Sequence, residues 1–220
     1  MTIRIGILDS GMSGLSIGKV AGARCFLSSR PTDDWPSDAL GHGDHIATLV
    51  TEANPLSQLL IARIFDGQRN APVERVVAGL DWLVVSGAQV INMSFGMRTP
   101  SLQLIEACER ASAAGVILVA SAPARGSPVF PAQLSCCLSV SGDARCTESQ
   151  WSWLGLLRAD FGANPLLSNS LGAPLGGSSF ACARLSGIVA RIMAQGQIEV
   201  REVVNELRTA ANYIGPEQRA

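Results

Sequence analysis

Short, almost wholly apolar runs alternate along this chain with longer amphipathic ones, and no other feature limits its fold so strongly. Ile3–Leu8, Leu59–Phe65, Gln89–Met93, Val116–Ser121 and Leu138–Val140 read as strands. Between them His42–Ala53, Val73–Val85 and Leu102–Ala114 carry apolar residues at helical spacing, and Ser179–Ala194 and a charged segment at about Glu199–Ala211 follow in kind. Strands that are apolar throughout are buried on both faces, and crossover helices are what bury them. The pattern predicts one doubly wound α/β domain over residues 1–220, with a mainly parallel sheet and helices on both faces. In such sheets ligands lie beyond the carboxyl ends of the strands, which directs attention to Asp9, Ser94 and the segment from Ala122 onward. The Gly-, Pro- and Ser-rich stretches Ala122–Pro131 and Ser168–Ser179 read as long loops of the functional kind.

Charge and composition exclude several classes of partner. Seventeen Lys and Arg against 18 Asp and Glu leave a net charge of −1, so no basic field attracts nucleic acid or an anionic membrane. Apolar stretches such as Val116–Ala122 fall well short of the roughly 20 residues of a membrane-spanning helix. The N-terminus runs straight into a strand, with no visible signal peptide or prodomain, so the expected location is cytoplasmic. The six cysteines show no C-x-x-C spacing and are expected to be reduced thiols, with the neighbours Cys136 and Cys137 read as strand filling or, less simply, as a redox pair. His42 and His45 have no cysteine near them, and Asp33, Asp34 and Asp38 read as a solvated loop, so no metal site is assigned. The Gly172–Ser179 stretch lacks the Gly-Lys-Ser/Thr ending of a phosphate cradle, and no cofactor is expected.

Three residues at chain turns supply a coherent chemistry. Asp9 ends the first strand in Ile-Leu-Asp-Ser-Gly, His42 opens a helical pattern in Gly-His-Gly-Asp-His-Ile-Ala, and Ser179 follows two glycines in Gly-Gly-Ser-Ser-Phe-Ala. A serine hydroxyl becomes a useful nucleophile when an imidazole takes its proton, and the imidazole needs a carboxylate to fix its tautomer and stabilise its cation. Taken singly, Asp9 reads as a turn aspartate, Ser179 as a helix cap and His42 as a structural histidine.

Taken together, these segments resemble the subtilisin-like serine proteases, the subtilases. The first matches the family's aspartate motif, the second its histidine motif (usually H-G-T-H-V-A) and Gly-Ser-Ser-Phe-Ala its serine motif (usually G-T-S-M-A), in the order Asp, His, Ser. Val90–Gly96 resembles the V-I-N-M-S-L-G strand whose end forms a wall of the primary specificity pocket. The resemblance implies a compact catalytic domain with Asp9 as orienter, His42 as general base and then acid, and Ser179 as nucleophile. It implies that Ser94, Phe95, Gly96, Ala122, Arg125 and Val129 contact substrate, and that His45 is structural.

The match breaks at the oxyanion asparagine. In Ala120-Ser121-Ala122-Pro123-Ala124-Arg125-Gly126, Ala124 stands where the family has asparagine. The Ser178 hydroxyl, the Ser179 amide at a helix N-terminus, the Arg125 guanidinium, Asn164 and Asn169 are the candidate replacements. Val129 is expected to shorten the primary pocket, and Arg125 on its rim to favour a small or acidic residue before the scissile bond. The resulting expectation is a selective processing endopeptidase acting on a peptide or protein. A peptide-binding pseudoprotease is the alternative, and ligation by an amine a third reading.

Overall fold

The apolar runs pair as parallel neighbours. The computed structural model describes residues 1–13, 19–28, 30–67, 71–167, 175–196 and 200–217. In it β1 (Arg4–Asp9) lies between β3 (Gln58–Arg63) and β4 (Val90–Met93), parallel to both. β5 (Ile117–Ser121), β6 (Cys137–Gly142) and β8 (Ala159–Ala163) continue the parallel run on one side, and β2 (Val20–Cys25) joins β3 on the other. Beyond β8 come β7 (Trp151–Leu156), antiparallel to it, and β11 (Tyr213–Ile214), parallel to β7. The nine-stranded order is β11-β7-β8-β6-β5-β4-β1-β3-β2. A separate two-stranded ladder pairs β9 (Leu166–Leu167) with β10 (Leu175–Gly176).

Successive strand residues point to opposite faces, so the apolar runs supply two cores at once. Ile5, Ile7, Leu59, Ile61, Val90 and Val119 face one side, against α1 (His42–Ala53) and α4 (Ser178–Ala194). Leu8, Leu60, Ile91, Met93 and Leu118 face the other, against α2 (Val73–Val85) and α3 (Leu102–Ala113). A final helix, α5 (Val200–Thr209), sends Val203 and Leu207 into the α4 side. The expected helices over His42–Ala53 and Val73–Val85 have those bounds, and the sheet is mostly parallel with helices on both faces.

The structure adds elements that periodicity does not reveal. β2 reads Val-Ala-Gly-Ala-Arg-Cys and sits at the sheet edge with little buried surface, so its apolar signal is weak. β7 and β8 form a tight hairpin turned at Leu157 and Arg158, which puts an antiparallel pair beside the parallel sheet. Trp151 and Trp153 lie on β7, the Trp151 indole donating to the Leu207 carbonyl at 2.7 Å and Trp153 packing on Phe161. Of the Ser168–Ser179 stretch, residues 168–174 lie outside the described residues.

Candidate active site

The end of β1 and the start of α1 are fitted together by two glycines. Gly11 has φ +113°, and a Cβ there would sit 2.1 Å from the Pro36 carbonyl oxygen. A Cβ on Gly43 would sit 2.1 Å from the Gly11 carbonyl oxygen. Only residues without side chains let these segments approach so closely, which is the physical content of the glycines in Asp-Ser-Gly and His-Gly. The packing delivers Asp9 and His42 to each other: His42 Nδ1 donates to Asp9 Oδ1 at 2.8 Å. An ionised carboxylate only accepts, so Nδ1 carries a proton, and in the neutral imidazole the basic lone pair is then on Nε2.

Asp9 is 1% exposed, and the same Oδ1 also accepts from the Ser10 amide at 2.8 Å and the Ser10 hydroxyl at 3.1 Å. The Ser10 oxygen in turn accepts from the Gly43 amide at 3.0 Å, so one hydroxyl ties the strand end to the helix start. Among the described residues Asp9 Oδ2 has no hydrogen-bond partner. Asp44, in place of the motif threonine, accepts from the Ser13 amide at 2.8 Å.

Ser179 is the second residue of α4, and its amide and that of Ser178 lie at the helix's positive end. Its hydroxyl donates to the Ser94 carbonyl at 3.0 Å, while the Ser94 hydroxyl donates back to the Ser179 carbonyl at 3.1 Å. The Asn92 side-chain amide donates to the Ser94 oxygen at 2.9 Å, fixing it from beneath. The next ring along, Phe180, stacks on His42 at 6.2 Å and meets His45 edge-on at 6.1 Å. Ser10 and Phe180 were not singled out by sequence reasoning; the only sequence signal for either is adjacency to Asp9 or Ser179.

Asp9, His42, Ser94, Phe95, Gly96 and Ser179 line one cleft of about 450 Å³. Ser178, Ala124 and Arg125 line a second cavity of about 440 Å³, together with Arg158 and Asp143. The structure does not bring the remaining two residues to either wall. Ala122 is 1% exposed in the α2–α3 core, its amide donating to the Val140 carbonyl at 2.8 Å. Val129 packs on Gly96, with its Cγ2 2.6 Å from where a Cβ on that glycine would be.

No asparagine among the described residues lines either cavity. Asn164 uses its side-chain oxygen to accept from the Leu166 amide at 2.8 Å, and Asn169 lies outside the described residues. Ala124 is exposed. Beside the second cavity, Asp143 is bound by Arg145 through Nε at 3.0 Å and Nη2 at 2.7 Å, and by the Ser152 hydroxyl at 2.6 Å. Burial works to raise the Asp143 pKa, but the Arg145 and Ser152 bonds outweigh it and hold the carboxyl below its usual value. Among the described residues no group of three His, Cys, Asp or Glu is arranged to hold a metal ion, and no helix is long and apolar enough to cross a membrane.

The chain is 25% identical to a thermostable alkaline protease of Halalkalibacterium halodurans, over 96% of this chain and 63% of that one. It is 24% identical to subtilisin DY of Bacillus licheniformis, over 97% of this chain and 85% of the other, and 24% identical to subtilisin Savinase of Lederbergia lenta, over 97% and 84%. The chain thus spans less than two thirds of the first of these relatives. A model of the subtilase family matches residues 2–219, and the chain belongs to that family.

Proposed function

We propose that this chain is a serine endopeptidase that cleaves a peptide or protein through a Ser179 acyl-enzyme. The observation that carries the reading is the 2.8 Å bond from His42 Nδ1 to Asp9 Oδ1 in the cleft that also holds Ser179. Rotation about the Ser179 Cα–Cβ bond takes its hydroxyl from the Ser94 carbonyl toward His42 Nε2. The oxygen then attacks the scissile carbonyl as Nε2 takes the proton, and Asp9 stabilises the resulting imidazolium. His42 returns the proton to the leaving amine, and water resolves the ester by the same route. The Ser179 amide at the start of α4 faces the developing oxyanion, with the Ser178 hydroxyl as the second candidate donor. Neither metal nor organic cofactor enters these steps.

An incomplete oxyanion site suits slow, selective processing. Arg125 and Arg158 on the second cavity support a preference for acidic side chains close to the scissile bond. An intracellular setting accords with six unpaired cysteines. The alternative is a binding protein with a subtilase cleft, and the Ser179 hydroxyl resting on the Ser94 carbonyl is the observation that favours it.

An activated fluorophosphonate probe separates the two. The expected result is one adduct by intact mass, absent from Ser179→Ala. No adduct on protein with a cooperative unfolding transition would overturn the enzyme reading.

A further inference from the structure

The segment that enters α4 is held from outside the main sheet. β10 ends at Gly176, Gly177 precedes the first helical residue, and Ser178 and Ser179 open the helix. β10 pairs antiparallel with β9, Gly176 opposite Leu166, and the Gly177 amide donates to the Pro165 carbonyl at 3.0 Å. Leu166 has other partners for its own backbone groups. Its amide donates to the Asn164 side-chain oxygen at 2.8 Å, and its carbonyl accepts from Arg184 Nη2 at 2.9 Å. Arg184 lies further along α4 itself. One side chain of α4 therefore grips the strand that holds the approach to α4.

We propose that Arg184 is a positioning residue for the oxyanion site: by holding β9 it fixes the path of Gly177–Ser179, and with it the direction of the Ser179 amide and the Ser178 hydroxyl. The inference rests on the peptidase reading and names a residue that reading does not use. Ala124 offers no side-chain donor, so the start of α4 must supply the stabilisation, and a donor acts only within roughly 2.7–3.1 Å of the developing oxyanion. A small shift at Gly177 then lowers the rate. Ser94 bolts Ser179 from the β4 side, and Arg184 does the same for the segment before it.

The surroundings of the guanidinium single out that bond. Arg184 is 3% exposed, and among the described residues its Nε is buried with no hydrogen-bond partner. Glu52 and Glu148 approach it at 3.9 and 4.0 Å, beyond hydrogen-bond length, and both are largely exposed, so water weakens their attraction. Burying a cation with so little pairing is unfavourable, and an apolar side chain of similar length would fill the same space without that penalty. What the apolar side chain lacks is the donor to Leu166, a charge-assisted bond stronger than a neutral one.

The test is Arg184→Met in the full chain, read by the rate of fluorophosphonate labelling at Ser179, by amide hydrogen exchange and by the unfolding midpoint. Labelling should slow about tenfold, less than the roughly 10²–10³ for a donor removed outright, because the donors here are misdirected and still present. The Gly177 amide should exchange at least about tenfold faster, while the unfolding midpoint is unchanged or higher because a poorly paired buried cation is gone. Arg184→Lys, which keeps the charge and a donor, should bring labelling back to within about threefold of wild type. Arg184→Gln, neutral and shorter, gives the same reading if the methionine variant does not fold; a chain that folds with neither makes Arg184 a stability residue and overturns the proposal. Unchanged Gly177 exchange would overturn the hold on β9. Faster exchange with unchanged labelling, or a lysine variant as slow as the methionine one, would overturn the positioning role. A wild type that takes no label would overturn the peptidase reading and that role together, and hydrogen exchange would then decide by itself whether Arg184 holds β9.

Discussion

Ser10→Ala removes one oxygen and two bonds. The hydroxyl is 1% exposed, donates to Asp9 Oδ1 at 3.1 Å and accepts from the Gly43 amide at 3.0 Å. A bond to a charged acceptor contributes about 1.5–3 kcal/mol, and a buried amide left without an acceptor costs about 1–3 kcal/mol. The two losses share one oxygen and the variant no longer buries a hydroxyl, so they do not add in full; the expected destabilisation is about 2–4 kcal/mol. Urea unfolding should show it as a midpoint about 1 M or more lower at unchanged slope. Asp9 keeps its bonds to the Ser10 amide and His42 Nδ1, so the pair persists with a looser carboxylate. If the chain is a peptidase, kcat should fall about tenfold, roughly 1.4 kcal/mol, with little change in KM. A stability loss below about 0.5 kcal/mol would refute the reasoning, because it would mean that strand end and helix start are held together without this hydroxyl.

Other outcomes follow from the same contacts. Asp143→Asn should cost about 2–3 kcal/mol at pH 7, since it removes the buried carboxylate that pairs with the half-buried Arg145 and leaves that guanidinium with the Gly215 carbonyl and the Tyr213 ring. The Asp143 pKa is lowered in the folded chain, so its stabilisation is complete above the unfolded value near pH 4 and is lost as pH falls through the folded value; wild type and variant should converge in acid unfolding curves. Ala124→Asn should raise the rate of fluorophosphonate or ester acylation at least about tenfold, given that loss of such a donor costs roughly 10²–10³ in a subtilisin; an unchanged rate would show that another donor already fills the site. Gly11→Ala should lower stability by more than about 3 kcal/mol, measured by thermal unfolding, because it combines a left-handed φ with a clash against the Pro36 carbonyl.

The elements that position the cleft were legible because each announces itself over a few residues. β1, β4 and β5 have mostly apolar, buried interiors, α1 and α2 have clear periods, and Asp9, His42 and Ser179 each stand where one element ends or begins. What escaped notice depends on residues distant in sequence. β11 is two residues long and exists only because β7 offers it an edge. Ser10 reads as an ordinary turn serine until Gly43, 33 residues away, is seen to donate to it. Phe180 reads as helix filling until His42 and His45 are found packed on its ring. The motif puts Ala122 on a substrate wall, whereas the structure buries it in the α2–α3 core.

The reciprocal bonds between Ser94 and Ser179 bear on where the difficulty of catalysis would lie. Ser94 O accepts the Ser179 hydroxyl and the Ser94 hydroxyl reaches the Ser179 carbonyl, so the first turn of α4 is bolted to the end of β4. That attachment holds the backbone, while the Ser179 side chain can still change rotamer within the cleft it shares with His42. The exchange replaces one neutral hydrogen bond by another, a difference of about 1 kcal/mol. An absent oxyanion donor weighs more, about 2.7–4 kcal/mol of transition-state stabilisation. The resting orientation of Ser179 is therefore a weak argument for a binding protein, and the donors around Ser178 and Ala124 are the stronger determinant of rate. A substrate whose acidic side chain engages Arg125 and Arg158 brings binding energy to that same place, and binding realised only in the transition state can offset a missing donor. On the proposed reading, selectivity and slow turnover would have one cause: the chain would depend on its substrate for stabilisation that an asparagine would supply to every substrate alike.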